Sequence, residues 1–336
     1  MNSLPVGKLE LEYLAQLLSK YIQEDNRVLA GPGIGEDATV IDFGDRYLVA
    51  KTDPITFATD EIGWYAVHVN ANDIATAGAE PKWLLVTLLL PEGQADRALV
   101  EKIFSQLSEA CKQIGVSLCG GHTEVTYNLD RPIVVGQMLG EVAPDRLVTS
   151  SGARTGDVII LTKGVAVEGT AIIAREKAPE LADEYSAEFL DRCRNFLRDP
   201  GISILREARI AVRTARVQAM HDPTEGGLAT GLWELAQASG VGLRIERAAI
   251  PILPETAALC SHYELNPLGI IASGSLLLAL APEDAQSVIA ALRSEGIPAA
   301  VIGEAVPREE GLTLIMDGKA QELSRFEPDE IARLFA

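Results

Sequence analysis

No stretch of this chain constrains its fold more than residues 61–78. Val67, Ala71, Ile74 and Gly78 recur there at four, three and four residues, the stripe of a helix packed on a sheet. One position behind that stripe run Ala66, Asn70, Asp73 and Ala77, which share an edge of the same helix. An amide and a carboxylate therefore stand among small apolar neighbours, where Asn and Asp are poor choices unless something satisfies them. Two readings follow: a solvated helix edge, or a ledge for a metal or a polar ligand.

The flanking segments supply the sheet that such a helix needs. Residues 9–22 carry apolar side chains at mostly helical spacing. Strand-like runs at 38–43 and 46–51 are joined by Gly44-Asp45, a turn dipeptide suited to a hairpin. A strand at 83–90, an amphipathic helix at 94–114 and strands near 116–119 and 133–141 follow. Ala143-Pro144-Asp145-Arg146 marks the expected boundary, giving domains at 1–145 and 146–336. Beyond it come a strand at 158–162, a helix from Thr170 and a polar surface helix pair over 176–198. Helical spacing continues over 202–218, and another helix runs through Ala238. Strands at 241–245 and 275–280, a helix at 282–296 and strands near 300–302 and 313–316 complete the chain. Both halves mix strands with long helices, so the expected class is α+β (mixed α/β) in two domains, a division that 336 residues accommodate.

Three glycine-bearing turns carry the remaining chemistry. In Gly31-Pro32-Gly33-Ile34-Gly35, alternate glycines let the backbone approach a ligand and turn N–H groups toward an anion. Alone this is an ordinary loop; the carboxylates Glu36-Asp37 directly before a strand give it weight. Asp53 ends the partner strand, and in simple hairpin register Asp37 and Asp53 fall at the same end. Hard oxygen ligands grouped at one sheet end are what nucleotide-bound magnesium requires. Cys119-Gly120-Gly121-His122-Thr123-Glu124 reads as a strand end and a glycine bend bringing His122, Thr123 and Glu124 to a site edge. In His221-Asp222-Pro223-Thr224-Glu225, an N-cap Asp222 with Pro223 at N1 and Glu225 at N3 forms a capping box. The helix N-terminus opened by Gly226-Gly227 is equally an anion site, and both readings hold together.

Composition limits the partners. Acidic side chains outnumber basic ones by 48 to 29, a formal charge of -19, which argues against a nucleic-acid or anionic-membrane surface. Phosphate held by backbone N–H groups and bound cations needs no net positive charge. Four cysteines without a C-x-x-C pair argue against a disulfide framework or a zinc ribbon. Met1-Asn2-Ser3-Leu4-Pro5 lacks a signal-peptide pattern, and the longest apolar runs are strand-sized, so a reducing cytoplasm is the expected address. P-loop, H-E-x-x-H and G-x-S-x-G signatures are absent.

An ordered set of motifs remains: Gly33-Ile34-Gly35-Glu36-Asp37-Ala38, Thr52-Asp53, Val69-Asn70-Ala71-Asn72-Asp73-Ile74-Ala75, Gly78-Ala79-Glu80-Pro81, Gly120-Gly121-His122-Thr123, Asp222 to Ala229, and Ala272-Ser273-Gly274-Ser275-Leu276. The set resembles the aminoimidazole ribonucleotide synthetase (PurM-like) superfamily over nearly the whole chain, and within it most closely the hydrogenase maturation protein HypE branch. The resemblance implies a two-domain PurM-like fold, with an N-terminal domain that binds ATP and metal and forms a dimeric β-barrel, and a C-terminal α/β domain. It further implies a homodimer, ATP with Mg2+ in a cleft, and transfer of the γ-phosphoryl group to an acceptor, sometimes an amide oxygen that is later lost.

By motif matching, Asp37, Asp53, Asp73 and Asp222 are the implied metal ligands, and Asp73, His122 and Asp222 the implied catalytic residues. The implied nucleotide-binding set is Gly33, Gly35, Asp37, Thr52, Asn70, Gly120, Gly121, Thr123, Thr224, Gly226 and Gly227. HypE ends in a cysteine that receives the group to be dehydrated; this chain ends Arg333-Leu334-Phe335-Ala336, so that tail reaction is not expected here. The Gly-Gly-His-Thr form is closer to selenophosphate synthetase, whose early cysteine or selenocysteine has no counterpart before Cys111. The expected activity is ATP-dependent phosphoryl transfer or hydrolysis, with a small-molecule or carbamoyl-type acceptor and a maturation partner protein. The alternatives are a thiamine-monophosphate-kinase-like enzyme and a nucleotide-binding partner protein without turnover.

Overall fold

Two sheets carry the fold of the computed structural model, which describes residues 9–23, 25–31, 33, 37–56 and 60–335. The first holds β1 (Val28–Ala30), β2 (Thr39–Asp42), β3 (Tyr47–Ile55), β4 (Glu80–Pro91), β5 (Ser117–Thr126) and β6 (Ile133–Val142), in the order β1-β2-β3-β6-β4-β5. The second holds β7 (Val158–Thr162), β8 (Val217–His221), β9 (Gly242–Glu246), β10 (Leu277–Leu280), β11 (Ala299–Val306), β12 (Leu312–Met316) and β13 (Lys319–Glu322), in the order β13-β12-β9-β11-β7-β10-β8. Pairing is antiparallel except for β4 with β5 and β9 with β12. The helices are α1 (Leu11–Tyr21), α2 (Ile62–Thr76), α3 (Arg97–Ile114), α4 (Val167–Glu176), α5 (Ala178–Leu181), α6 (Ala187–Asn195), α7 (Leu205–Thr214), α8 (Gly227–Ser239), α9 (Pro254–His262) and α10 (Pro282–Ser294).

The helix that dominates the sequence, α2, is buried along its entire length. A solvated edge is therefore ruled out for Asn70 and Asp73, at 0% and 4% exposure. The sheet below makes room with glycine. A Cβ at Gly140 of β6 would overlap Ile74, and one at Gly136 would overlap Asn70, so the helix sits directly on that strand. Full burial of Ile74 is worth about 1.5–3 kcal/mol. One hydrophobic core runs from α2 and the first sheet into Ile160, Met220 and Leu278 of the second. Polar ties cross the same junction. Asn72 Nδ2 donates to the Ile202 carbonyl at 2.8 Å, and its Oδ1 accepts from Ile204 N–H at 3.0 Å. Arg209 clasps Glu80 with two N–H groups.

Two expectations need correction. Helical spacing does not run through residue 218: α7 stops at Thr214 and β8 begins at Val217, a five-residue strand with no Gly or Pro ahead of it to announce the change. The glycine bend after Cys119 is not formed either. Gly120 to Glu124 lie inside β5, whose side chains are mostly exposed at the sheet edge. The parallel ladder to β4 accepts both glycines through a register shift beside Leu85. Among the described residues no closed barrel forms; the first sheet is open, with β1 and β5 at its edges. No helix among the described residues is long and apolar enough to cross a membrane.

Candidate functional site

Three elements distant in sequence deliver one carboxylate each to a single point. Asp37 precedes β2, Asp73 sits in the last turns of α2, and Asp222 follows the final residue of β8. One carboxylate oxygen from each lies within 4.8 Å of the others. Antiparallel register pairs Thr39 with Ala50, which carries Asp37 to the same end of the hairpin as Asp53. Lys51 and Asp53, two residues apart in β3, share a sheet face. Lys51 Nζ is 3.4 Å from Asp73 Oδ1. Asp53 is near enough to act on Lys51 but stands outside the three-carboxylate group.

The electrostatics are unbalanced in a telling way. Asp222 Oδ1 and Oδ2 and Asp73 Oδ2 are buried with no hydrogen-bond partner, a costly state for carboxylates unless a cation meets them. Burial pushes Asp73 up to about 8; Lys51 pulls it back, while Asp37 and Asp53 add repulsion. Burial, then Asp73 and Asp37, push Asp222 well above the usual carboxylate range. Burial also works to raise Asp37, yet the ion pair with His221 and the charge of Lys51 outweigh it and hold Asp37 low. Burial works to lower Lys51, but Asp73, Asp53, Asp37 and Asp222 together hold it well above its ordinary value.

His221 ties this point to α8. Its Nδ1 lies 3.0 Å from Asp37 Oδ1, and its Nε2 lies 3.0 Å from Glu234 Oε2. Burial alone would lower its pKa; the two carboxylates reverse that and raise it well above the ordinary imidazole value. Flanked in this way, Asp37 is held in one orientation.

The other expected residues are placed as follows. Asn70 Nδ2 donates to Ala66 O at 2.9 Å and Asp53 O at 3.3 Å, leaving Oδ1 buried and unpartnered. Thr52 is exposed and donates to Gly136 O at 3.0 Å. Gly33 is exposed, and Gly35 and Glu36 lie outside the described residues. Asp222 is no helix cap. The chain leaves Pro223 and Thr224 before α8 begins at Gly227, with Gly226 and Gly227 at φ of 78° and 64°. A side chain at Gly227 would collide with the carbonyls of Leu268 and Ile270, and the left-handed backbone excludes the capping box. The Gly226 N–H is taken by Asp329 Oδ2 at 2.7 Å, and Thr224 O accepts from Gly227 and Ala272.

Gly120, Gly121, His122 and Thr123 are not brought to the carboxylates within one chain. Asp53 pairs with Gly136, Gly136 with Val86, and Val86 with Gly121, so three strand spacings, roughly 14 Å, intervene. His122 faces out on β5, with Nε2 3.2 Å from Glu124 Oε2. Sequence reasoning missed Lys51, His221 and Glu234. The two-residue spacing of Lys51 and Asp53 in a strand was the available signal for the first, and adjacency to Asp222 for the second.

Two family models match this chain. Residues 35–142 match the AIR synthase related protein N-terminal domain, and residues 154–315 its C-terminal domain. Carbamoyl dehydratase HypE of Rhizobium leguminosarum bv. viciae is 33% identical over 267 residues, 78% of this chain and 72% of that protein. A putative hydrogenase expression/formation protein of Methanocaldococcus jannaschii is 31% identical over 92% of this chain and 91% of its own length. Among solved structures, the hydrogenase maturation protein HypE in complex with ATP aligns with a TM-score of 0.72 and 25% identity, covering 94% of this chain and 91% of that one.

Proposed function

Because this chain belongs to the AIR synthase related family, in its HypE neighbourhood, we propose that it is an enzyme that binds ATP with magnesium and transfers the γ-phosphoryl group to an oxygen acceptor of carbamoyl or related type. The observation that carries this reading is the convergence of Asp37, Asp73 and Asp222 with three of their oxygens buried and unpartnered. Hard, anionic oxygens left without donors fit magnesium and suit no neutral ligand. Asp37, Asp73 and Asp222 would hold the ion, with Asp53 beside them. The chemistry supplied by bound magnesium is neutralisation of charge on the phosphate oxygens during transfer.

The protein's own share is positioning. His221, braced by Glu234, fixes the Asp37 carboxylate; α2, buried on all sides, fixes Asp73. Little covalent chemistry is asked of the chain, as is usual for phosphoryl transfer. The HypE relatives are named carbamoyl dehydratases, which favours an amide-type oxygen as acceptor and a hydrogenase-maturation setting with a partner protein. The exposed edge of β5 supports a homodimer: an uncovered edge strand pairs readily with a second copy, closing the barrel the family resemblance implies. Any role of His122 or Thr123 at a nucleotide site rests on that second copy.

Isothermal calorimetry with the non-hydrolysable analogue AMP-PNP tests the reading. Binding is expected with magnesium present, to be lost on addition of EDTA, and to weaken in Asp73→Asn with the far-UV spectrum unchanged. Absence of binding heat for the wild-type chain with magnesium overturns it.

A further inference from the structure

Two buried polar atoms, one from each half of the chain, lie near each other without partners. Tyr65 stands in the first turn of α2 and Glu168 in the first turn of α4, at 1% and 5% exposure, and they belong to the N-terminal and C-terminal family domains respectively. Neither Tyr65 Oη nor Glu168 Oε2 has a hydrogen-bond partner, a costly state for a buried donor and a buried acceptor. After burial itself, Glu168 is the strongest influence on the Tyr65 phenol, yet the two do not bond each other. His68, three residues on and on the same face of α2, is pushed down to about 3 by burial and by the charges of Lys163 and Arg198. Both its ring nitrogens are also unpartnered, so the unmet groups run along α2 from Tyr65 toward Asp73.

Glu168 is tied to the carboxylate group through the second sheet as well. The end of β7, the start of β10 and the end of β8 lie side by side, with Leu277 opposite both Leu161 and His221. Glu168 follows β7, Asp222 follows β8, and the chain ahead of β10 links them. There Ser273 donates to Glu168, and Ala272 N–H donates to Thr224 O at 3.3 Å. Asp329 and Glu225 add negative charge around Glu168. Such surroundings repel a phosphate or carboxylate head and suit a neutral group with free N–H bonds. A primary amide presents a carbonyl acceptor beside N–H donors, the counterpart of one hydroxyl donor and one carboxylate acceptor. We propose that Tyr65 and Glu168 form a specificity subsite that holds the acceptor by a primary amide of carbamoyl type, with Tyr65 O–H donating to the carbonyl oxygen and Glu168 Oε2 accepting from the nitrogen. The proposal rests on the ATP reading above and deepens it by naming what the acceptor must offer.

Ligand-observed NMR on the purified full chain, loaded with magnesium and AMP-PNP, tests this with methyl carbamate and methyl N,N-dimethylcarbamate as probes. The two share the carbonyl and differ in the N–H donors. Wild-type protein should bind the primary carbamate roughly tenfold or more tightly than the dimethyl one. Glu168→Leu should abolish that preference, and Tyr65→Phe should weaken both probes alike, with AMP-PNP affinity unchanged in each variant. Tyr65→Phe keeps the core filled and is the informative variant if the leucine chain fails to fold. Equal binding of the two carbamates, binding of neither, a preference that persists in Glu168→Leu, or variants that shift only the melting temperature would overturn the proposal and leave nucleotide binding intact. An ordered water would then be all that joins Tyr65 to Glu168. A wild type that takes up no AMP-PNP fails at the earlier step and removes both readings.

Discussion

Lys163 and Lys51 both pair with carboxylates and meet opposite surroundings. Lys163 Nζ lies 2.8 Å from Glu207 Oε1 and donates to the carbonyls of Gly201 at 2.9 Å and Ser203 at 2.6 Å, with both side chains buried. Each of its donors has an acceptor and its charge has one opposite number. Lys51 has one distant ion-pair partner and an excess of carboxylates around it. The contrast separates two uses of a buried charge. A closed, satisfied pair ties the chain after α6 to β7 and α7; an open, over-acidic group is stable only in so far as it awaits a cation and an anionic ligand.

The largest effect expected from this contrast is at the closed pair. Glu207→Ala strands a buried ammonium and should lower the unfolding free energy by about 3–5 kcal/mol in urea titration. A loss below about 1 kcal/mol, the range of exposed pairs, would erase the distinction between the two lysines.

Glu168, a buried carboxylate with no lysine beside it, should fall next. Burial pushes it up to about 7, with hydrogen bonding from Ser273 pulling down and Asp329 and Glu225 pushing further up. Its folded pKa therefore exceeds its unfolded value. The stability it contributes is fully present below about pH 4.5 and is lost as pH rises through about 7, a change of roughly 3 kcal/mol at 1.4 kcal/mol per pH unit. Glu168→Gln should flatten that part of the stability profile relative to the wild type; superimposable slopes would show that the carboxyl is already ionised in the fold.

The smallest effect on stability is expected inside the acidic group, with the sign reversed. Asp222→Asn relieves the crowding of a buried carboxyl group whose oxygens have no partners, so a gain of about 1 kcal/mol should accompany loss of nucleotide binding. A residue serving as a helix cap would instead cost about 1 kcal/mol. Calorimetric melting of the ligand-free protein tells these apart, and destabilisation would restore the capping role.

Much of this contrast is written locally, and some of it is not. The period of Val67, Ala71 and Ile74 announces a helix on a sheet, and Asn70 with Asp73 marks the face that carries chemistry. The Gly44-Asp45 turn fixes the register that aligns Asp37 with Asp53. Lys51 escaped notice because a lysine ahead of Thr52-Asp53 looks like any solvated strand residue; only the arrival of Asp73 and Asp222 from other elements gives it meaning. The bend expected at Gly120-Gly121 does not form because parallel pairing with β4 holds both glycines in the strand, although paired glycines usually bend a chain. The capping pattern at Asp222 is a sound local signal overridden by tertiary structure, since Gly227 must fit beneath the carbonyls of Leu268 and Ile270.

The central claim is that carboxylates from three separate elements hold a divalent ion that carries a triphosphate. Crystals grown with Mn2+ and AMP-PNP, measured at the manganese absorption edge, address it most directly. The account predicts an anomalous peak within bonding distance of Asp37, Asp73 and Asp222. A nucleotide bound elsewhere, with no anomalous density among these three side chains, would contradict it.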